Sequence, residues 1–237
     1  MSTCNFDSQA AVERLFDALS RGDRPAARAV AHDAAEDGLR PDEVLAELYW
    51  PTYELLEKLF RQDQLSNLSY RLATRLLRVL VDRTAAQLIR RPAMSRSVFA
   101  ACGPTESDEL AAQIATDLLE SQGFDVVFAG GGVAVDEILG QVHENRPDVL
   151  LLFAAAPGDL PATRQTIDKL HEIGACPDMQ IVVGGGVFNR ADGLAEEIGA
   201  DLWAIDPLEL VEIMTLEPEQ RSIPEQRTVG RKRRDAA

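Results

Sequence analysis

The chain has 237 residues, 46% of them hydrophobic and 27% charged, a make-up that gives room for two modest folded domains and argues against wholesale disorder. A formal net charge of −15 repels phosphate backbones and disfavours nucleic acid as a partner of the folded body. Cys4, Cys102 and Cys176 form no Cys-x-x-Cys pair, which excludes a disulfide framework or structural zinc site, no apolar run reaches the roughly 18 residues of a membrane span, and Met1 to Gln9 lacks the basic and apolar regions of a secretory signal, so a cytoplasmic location is expected.

Residues 8–90 read as a helical bundle. Val12, Leu15, Phe16 and Leu19 recur at helical spacing and make one apolar stripe, which Gly22 and Asp23 end. An alanine-rich helix from Pro25 to Glu36 follows and stops at Gly38. Pro41 opens a third helix that turns Val44, Leu48, Leu55, Leu56 and Leu59 inward, and Pro51 should kink it by removing a backbone donor. The spacing of Leu65, Leu68, Leu72, Leu76 and Val79 predicts a fourth helix from Leu65 to Ile89 with that stripe covered by its neighbours. Residues 91–96, containing Pro92, form the linker.

From residue 97 to 216 the period changes to strand, glycine turn and helix, the pattern of βαβ units and a parallel sheet of flavodoxin-like type. Five near-continuously apolar strands are predicted at Val98 to Cys102, Asp125 to Ala129, Val149 to Ala154, Gln180 to Val183 and Leu202 to Ile205. Helices are predicted at Ser107 to Gln122, Ala134 to Asn145, Leu160 to Ile173 and Ala191 to Ile198. Right-handed crossovers place Gly103 to Asp108, Ala154 to Asp159 and Gly184 to Asn189 on one sheet edge, with Gly130 to Gly132 alongside, and a ligand site belongs there. Residues 217–237 are polar and end in the basic cluster Arg231, Lys232, Arg233 and Arg234, which could touch nucleic acid, an acidic partner or an anionic membrane surface but reads first as a solvated, disordered end, since four charges make a weak anchor.

A helical domain followed by a five-stranded α/β domain resembles the cobalamin-binding modules of methionine synthase and of cobalamin-dependent light-sensing repressors. The likeness is best in Gln180-Ile-Val-Val-Gly184-Gly185-Gly186, similar to the family's strand ending in paired glycines, which let a backbone approach a cofactor tail closely, and in Gly199-Ala200-Asp201 before the last strand. Gly123-Phe124 and Pro147-Asp148 match in style. The family's Asp-x-His-x-x-Gly loop, whose imidazole ligates cobalt, aligns with Glu106-x-Asp108-x-x-Ala111, so Asp108 stands where the histidine stands. The family's Ser-x-Leu at the end of the third strand aligns with Phe153-x-Ala155, and the tryptophan and Glu-His pair of the repressors' helical domain with Phe60 and Tyr70-Arg71. The resemblance therefore assigns Glu106, Asp108, Phe153, Ala155, Gly184, Gly185, Gly186, Phe60, Tyr70 and Arg71 to cofactor binding, with no catalytic residue and no metal ligand; His32, His143 and His171 lie on predicted helices away from that loop.

Other readings of these residues are simpler. Ser107, Asp108 and Glu109 suit a helix start, the glycine runs suit tight turns as well as phosphate cradles, and Cys102 reads as a small buried filler. Phe153-Ala-Ala-Ala156 provides no phosphoacceptor aspartate of a receiver domain. The expected function is a non-enzymatic regulatory or signalling protein on a cobalamin-binding scaffold. It would bind a small molecule, including cobalamin without a protein histidine, or a protein partner in the cleft between the two domains. A corrinoid carrier for a methyltransferase system is the competing expectation, and an adaptor that forms a homo-oligomer through its helical domain is the third.

Overall fold

A computed structural model describes residues 6–174 and 176–222, without the side chains of Glu106 and Ser107. The basic cluster and Cys4 lie outside the described residues. The chain divides into two compact units between Arg90 and Arg91. No helix among the described residues is long and apolar enough to cross a membrane.

The first unit is built from α1 (Ser8–Ser20), α2 (Arg24–Glu36), a helix running through α3 (Pro41–Glu43), a π-helical turn (Val44–Tyr49) and α4 (Trp50–Arg61), and α5 (Asn67–Ala85). Asp7, Asp23 and Ser66 start α1, α2 and α5 by accepting a backbone N–H from the third residue on. The kink expected at Pro51 takes the form of the π turn just before it. Pro51 has no N–H to give the carbonyl of Glu47, and that oxygen accepts instead from the Ser8 hydroxyl at 2.8 Å.

The predicted stripe of α5 is corrected. Leu68, Leu72 and Val79 are exposed, and Ala73, Leu76, Leu77, Leu80 and Val81 face inward. A leucine-rich helix carries apolar residues on more than one face, so spacing alone does not tell which of them its neighbours cover.

The second unit has a parallel sheet in the order β2-β1-β3-β4-β5. Its strands are β1 (Ser97–Cys102), β2 (Asp125–Gly131), β3 (Val149–Phe153), β4 (Gln180–Gly184) and β5 (Leu202–Ala204). The alternation of side chains sorts the core into two layers. Val98, Ala100, Leu151, Phe153 and Val182 pack on α6 (Glu106–Ser121) and α10 (Pro207–Leu216), where Ala112, Leu119, Leu210 and Met214 meet them. Phe99, Ala101, Leu150, Leu152 and Ile181 pack on the opposite face with Ile138 of α7 (Val135–Asn145), Ile167 of α8 (Leu160–Ile173) and Ile198 of α9 (Leu194–Ile198). The sequence reading contained no α10. Its start is built from Asp206, whose carboxylate accepts from the N–H groups of Leu208 and Glu209, and from Pro207 in the first turn.

The edge where the strands begin is held by side chains. Asp148 Oδ2 accepts from Ser97 N and Oγ at 2.7 and 2.8 Å, joining the starts of β1 and β3. Arg96 donates to Gln180 Oε1 at 2.5 Å and to the Met214 carbonyl, while Gln180 Nε2 donates to the carbonyls of Glu217 and Gln220. The N–H and hydroxyl of Ser97 hold the Asp148 carboxyl below the usual carboxylate range, against the opposing effect of burial. A lowered carboxyl stabilises the fold above its unfolded value near pH 3.9 and loses that contribution as pH falls through the lower folded value. Asp148→Asn is therefore expected to flatten the acid limb of a melting-temperature profile and to cost about 1 kcal/mol or less at neutral pH, because the group is exposed. A mutant profile that parallels the wild type below about pH 4 would show that Asp148 contributes nothing to it.

Candidate functional site

The opposite edge carries the loops after the strands. In the order 2-1-3-4-5 the connections from β1 and β3 leave to opposite faces, and the crevice between them is where ligands of such sheets bind. In this chain hydrogen bonds centred on Asp108 and Ala155 tie the loops beside that crevice together.

Asp108 is 1% exposed. Thr105, not Ser107, is the N-cap of α6, and Asp108 completes a capping box: Thr105 Oγ1 accepts from Asp108 N at 3.2 Å, and Asp108 Oδ2 accepts from Thr105 N at 3.1 Å. The Thr105 hydroxyl also bonds Oδ2, at 2.5 Å. Oδ1 reaches across the crevice and accepts from Ala155 N at 3.0 Å. On its other side the Ala155 carbonyl accepts from Arg190 Nη2 at 2.7 Å. One carboxylate and one guanidinium thus tie the loops after β1, β3 and β4 together. Burial pushes the Asp108 carboxyl above its usual range, the Thr105 hydrogen bonds pull it back, and the nearby Asp159 carboxylate adds to the rise. Gly103 fits between the two acids, since a Cβ there would lie 2.7 Å from Asp108 Oδ2 and 2.9 Å from Asp159 Cγ.

Asp108→Asn turns an amide nitrogen toward a set of donors, and one of them loses its acceptor. The expected cost is about 1–3 kcal/mol in a urea titration. An unchanged midpoint would mean that the brace between the β1 and β3 loops is not made in solution.

Phe153 ends β3 on the α6 and α10 face and is 7% exposed. Its ring occupies the space above Gly184: a Cβ added there would lie 3.0 Å from Phe153 Cε1. Gly185, at φ +106°, would place a Cβ 2.4 Å from the carbonyl oxygen of Ala154, and Gly186 would place one 2.6 Å from Arg190 Nη1. All three glycines are accounted for by protein atoms already against them. The earlier run is similar, because a Cβ at Gly131 would lie 2.3 Å from the Gly103 carbonyl oxygen.

The structure thus brings Asp108, Phe153, Ala155 and Gly184 to Gly186 to one edge, with the backbone of Glu106 in the first turn of α6. Phe60 and Tyr70 meet in the helical unit, stacked with centroids 3.9 Å apart, and the Tyr70 hydroxyl donates to Glu57. Arg71 is exposed and donates to Asn67 Oδ1 at 2.9 Å. Cys102 is half-buried, which corrects its reading as a buried filler, and lines a cavity of about 270 Å³ together with Ala101, Leu152, Thr163 and Asp159. Sequence reasoning missed Thr105, Asp159 and Arg190. Thr105 was legible, since Thr-x-x-Asp before an apolar run is a capping-box signature.

These residues can be tested against a corrinoid. Both oxygens of Asp108 are engaged, and the described histidines lie elsewhere: His32 pairs with Glu36 on α2, and His143 and His171 are exposed on α7 and α8. Among the described residues no group of three or more His, Cys, Asp or Glu is placed to hold a metal ion. The slot beside the paired glycines is filled by Phe153. The residues therefore do not fit a corrinoid with cobalt ligated by a protein imidazole and its nucleotide arm laid along β4.

The B12 binding domain model matches residues 96–212. Trimethylamine corrinoid protein 2 of Methanosarcina acetivorans is 24% identical over 195 residues, covering 81% of this chain and 89% of that protein. Dimethylamine corrinoid protein 1 of the same organism is 30% identical over 111 residues, which is 46% of this chain and 51% of that one. The monomethylamine corrinoid protein of Methanosarcina barkeri superposes with a TM-score of 0.76 at 15% identity, covering 87% of this chain and 97% of that structure, a likeness of fold. Residues 96–212, the greater part of the α/β unit, are matched by the B12 binding domain model, with a helical unit in front of them in the chain.

Proposed function

We propose that this protein is a corrinoid carrier, a binding protein without catalysis of its own that presents a corrinoid to a methyltransferase-type partner. The observation that carries this reading is the extent of its likeness to a trimethylamine corrinoid protein, which spans 81% of the chain and so includes the helical unit as well as the sheet. A regulatory or signalling role, the first expectation from the sequence, has no such support, and the order of the two readings is reversed. The strand-end edge of the α/β unit around Asp108, Phe153 and Gly184 to Gly186 is the proposed binding set.

The test is retention. Purified full-length protein is incubated with aquocobalamin and methylcobalamin, desalted, and its visible spectrum recorded. Near-stoichiometric retention of either corrinoid is expected. Complete loss of both on desalting would remove the carrier reading.

A further inference from the structure

The cavity beside Cys102 lies under the loops after β1, β2 and β3, on the face of the sheet that α7 and α8 cover. Its volume of about 270 Å³ falls short of the roughly 300–1,000 Å³ of drug-sized pockets, so it takes a smaller molecule. Most of the wall is apolar: Ala101 and Leu152 come from the strands, Val133 from the β2 loop, Val135 and Ile138 from α7, and Ala162 from α8. None of Gly184 to Gly186 lines it, which separates it from the glycine slot that the Phe153 ring fills.

The hydroxyl and carboxylate groups of the wall all accept. Thr163 donates its own hydroxyl to the Asp159 carbonyl at 3.0 Å and Thr166 to the Ala162 carbonyl at 2.9 Å, so both oxygens are left to accept only. Asp159 Oδ2 accepts from Ala156 N at 2.8 Å, and among the described residues nothing donates to its Oδ1. Two acids bracket Gly103, itself part of the wall: a Cβ there would lie 2.7 Å from Asp108 Oδ2 and 2.9 Å from Asp159 Cγ. Among the described residues no lysine, arginine or histidine lines the cavity or forms an ion pair with either acid. The start of α7 already has acids of its own, Asp136 and Glu137, to answer its dipole. An anion therefore finds no partner here, and a purely apolar guest leaves Asp159 and two threonine oxygens without donors. A cation that carries N–H groups supplies them.

We propose that this cavity binds a small protonated amine, an ammonium group on a compact apolar body, with the nitrogen donating to Asp159 and the body packed on Ile138 and Leu152. Thr163 and Thr166 are acceptors for the remaining N–H groups. Asp159, Thr163 and Thr166 stand outside the proposed corrinoid-binding set, so the amine site does not rest on the carrier reading. Cys102, in the same wall, reports on its occupancy.

The test is calorimetric titration of the full chain with benzylammonium, and with benzyl alcohol and benzoate, which keep its shape and change its charge. Benzylammonium is expected to bind with a Kd of about 0.1–1 mM, in keeping with its size, and about tenfold more tightly than either analogue. Equal or tighter binding of the alcohol or of benzoate would overturn the proposal, as would no binding of benzylammonium up to about 10 mM. Asp159→Asn keeps an acceptor for Ala156 N and loses the charge; it is expected to weaken benzylammonium about tenfold and to move benzyl alcohol less than about twofold. Ala162→Leu, at an exposed position of α8, extends into the cavity and is expected to abolish binding of the amine. Undiminished binding to either folded variant would place the amine elsewhere and overturn the proposal. The unaltered chain provides a further check through its thiols. At about ten times its Kd, benzylammonium is expected to slow alkylation of Cys102 by iodoacetamide about tenfold and to leave Cys176 unchanged, read by peptide mass. A Cys102 rate that the amine does not change would count against the site in the same way.

Discussion

Replacing Phe153 by alanine is expected to destabilise the α/β unit by about 3–5 kcal/mol, the range for removing a buried aromatic ring from a packed layer. The ring is 7% exposed and packs in the same layer as Ala112 and Leu119 of α6 and Leu210 and Met214 of α10, so its removal loses contacts on several sides. The neighbours are poorly placed to collapse into the gap. Gly184 has no side chain to lend, and β3 is fixed in register between β1 and β4. A urea titration read by circular dichroism measures the loss. Phe153→Leu keeps most of the volume and is expected to cost under about 1.5 kcal/mol. If the alanine variant lost less than the leucine variant, the ring would not be packed as described.

Gly185→Ala is the second change with a large expected effect, about 3 kcal/mol or more. Two penalties combine. A backbone at φ +106° is one that side-chain-bearing residues adopt at a cost of about 1–3 kcal/mol, and the new methyl would lie 2.4 Å from the Ala154 oxygen, which overlaps it. That oxygen accepts from Val187 N at 3.4 Å and Ala154 N donates to the Gly184 carbonyl at 3.0 Å, so the β3 and β4 loops have to part for the methyl to enter. Gly140→Ala is the control. It lies inside α7 with nothing within 4 Å of the added carbon, and the substitution is expected to stabilise by up to about 1 kcal/mol. Equal melting temperatures for the two variants would contradict this account of Gly185.

Much of this architecture was legible before any coordinates. Runs such as Val149 to Phe153 and Ile181 to Val183 are apolar throughout because both faces of the sheet are covered, and glycines mark the turns at the ends of β1, β2 and β4. The α8 limits were read as they stand, from Leu160 to Ile173. Two kinds of information were not in the spacing. The face that α5 buries depends on what lies beside it, so Leu68 and Leu72 satisfied the pattern and still point to solvent. At the site, the resemblance aligns Asp108 and Phe153 with a histidine and a serine of the related modules, but does not tell what the two residues do. A carboxylate in place of an imidazole reads as a loss until Ala155 N is found 3.0 Å from it, and a phenylalanine in place of a serine reads as a core residue until its ring is found over Gly184.

The clasp at the opposite edge bears on how this unit can be handled as a part. Gln180 accepts from Arg96, near the start of the α/β unit, and donates to the carbonyl of Gln220, near the end of its described residues, so these two distant stretches meet on one glutamine. Both lie where the strands begin, across the full length of the sheet from Asp108 and Ala155. Such a unit behaves as a cassette. Residues 96–220 are expected to tolerate insertion into a surface loop of a host protein, or permutation to new ends at the αL turn of Arg146, with the melting temperature of the permuted unit as the check.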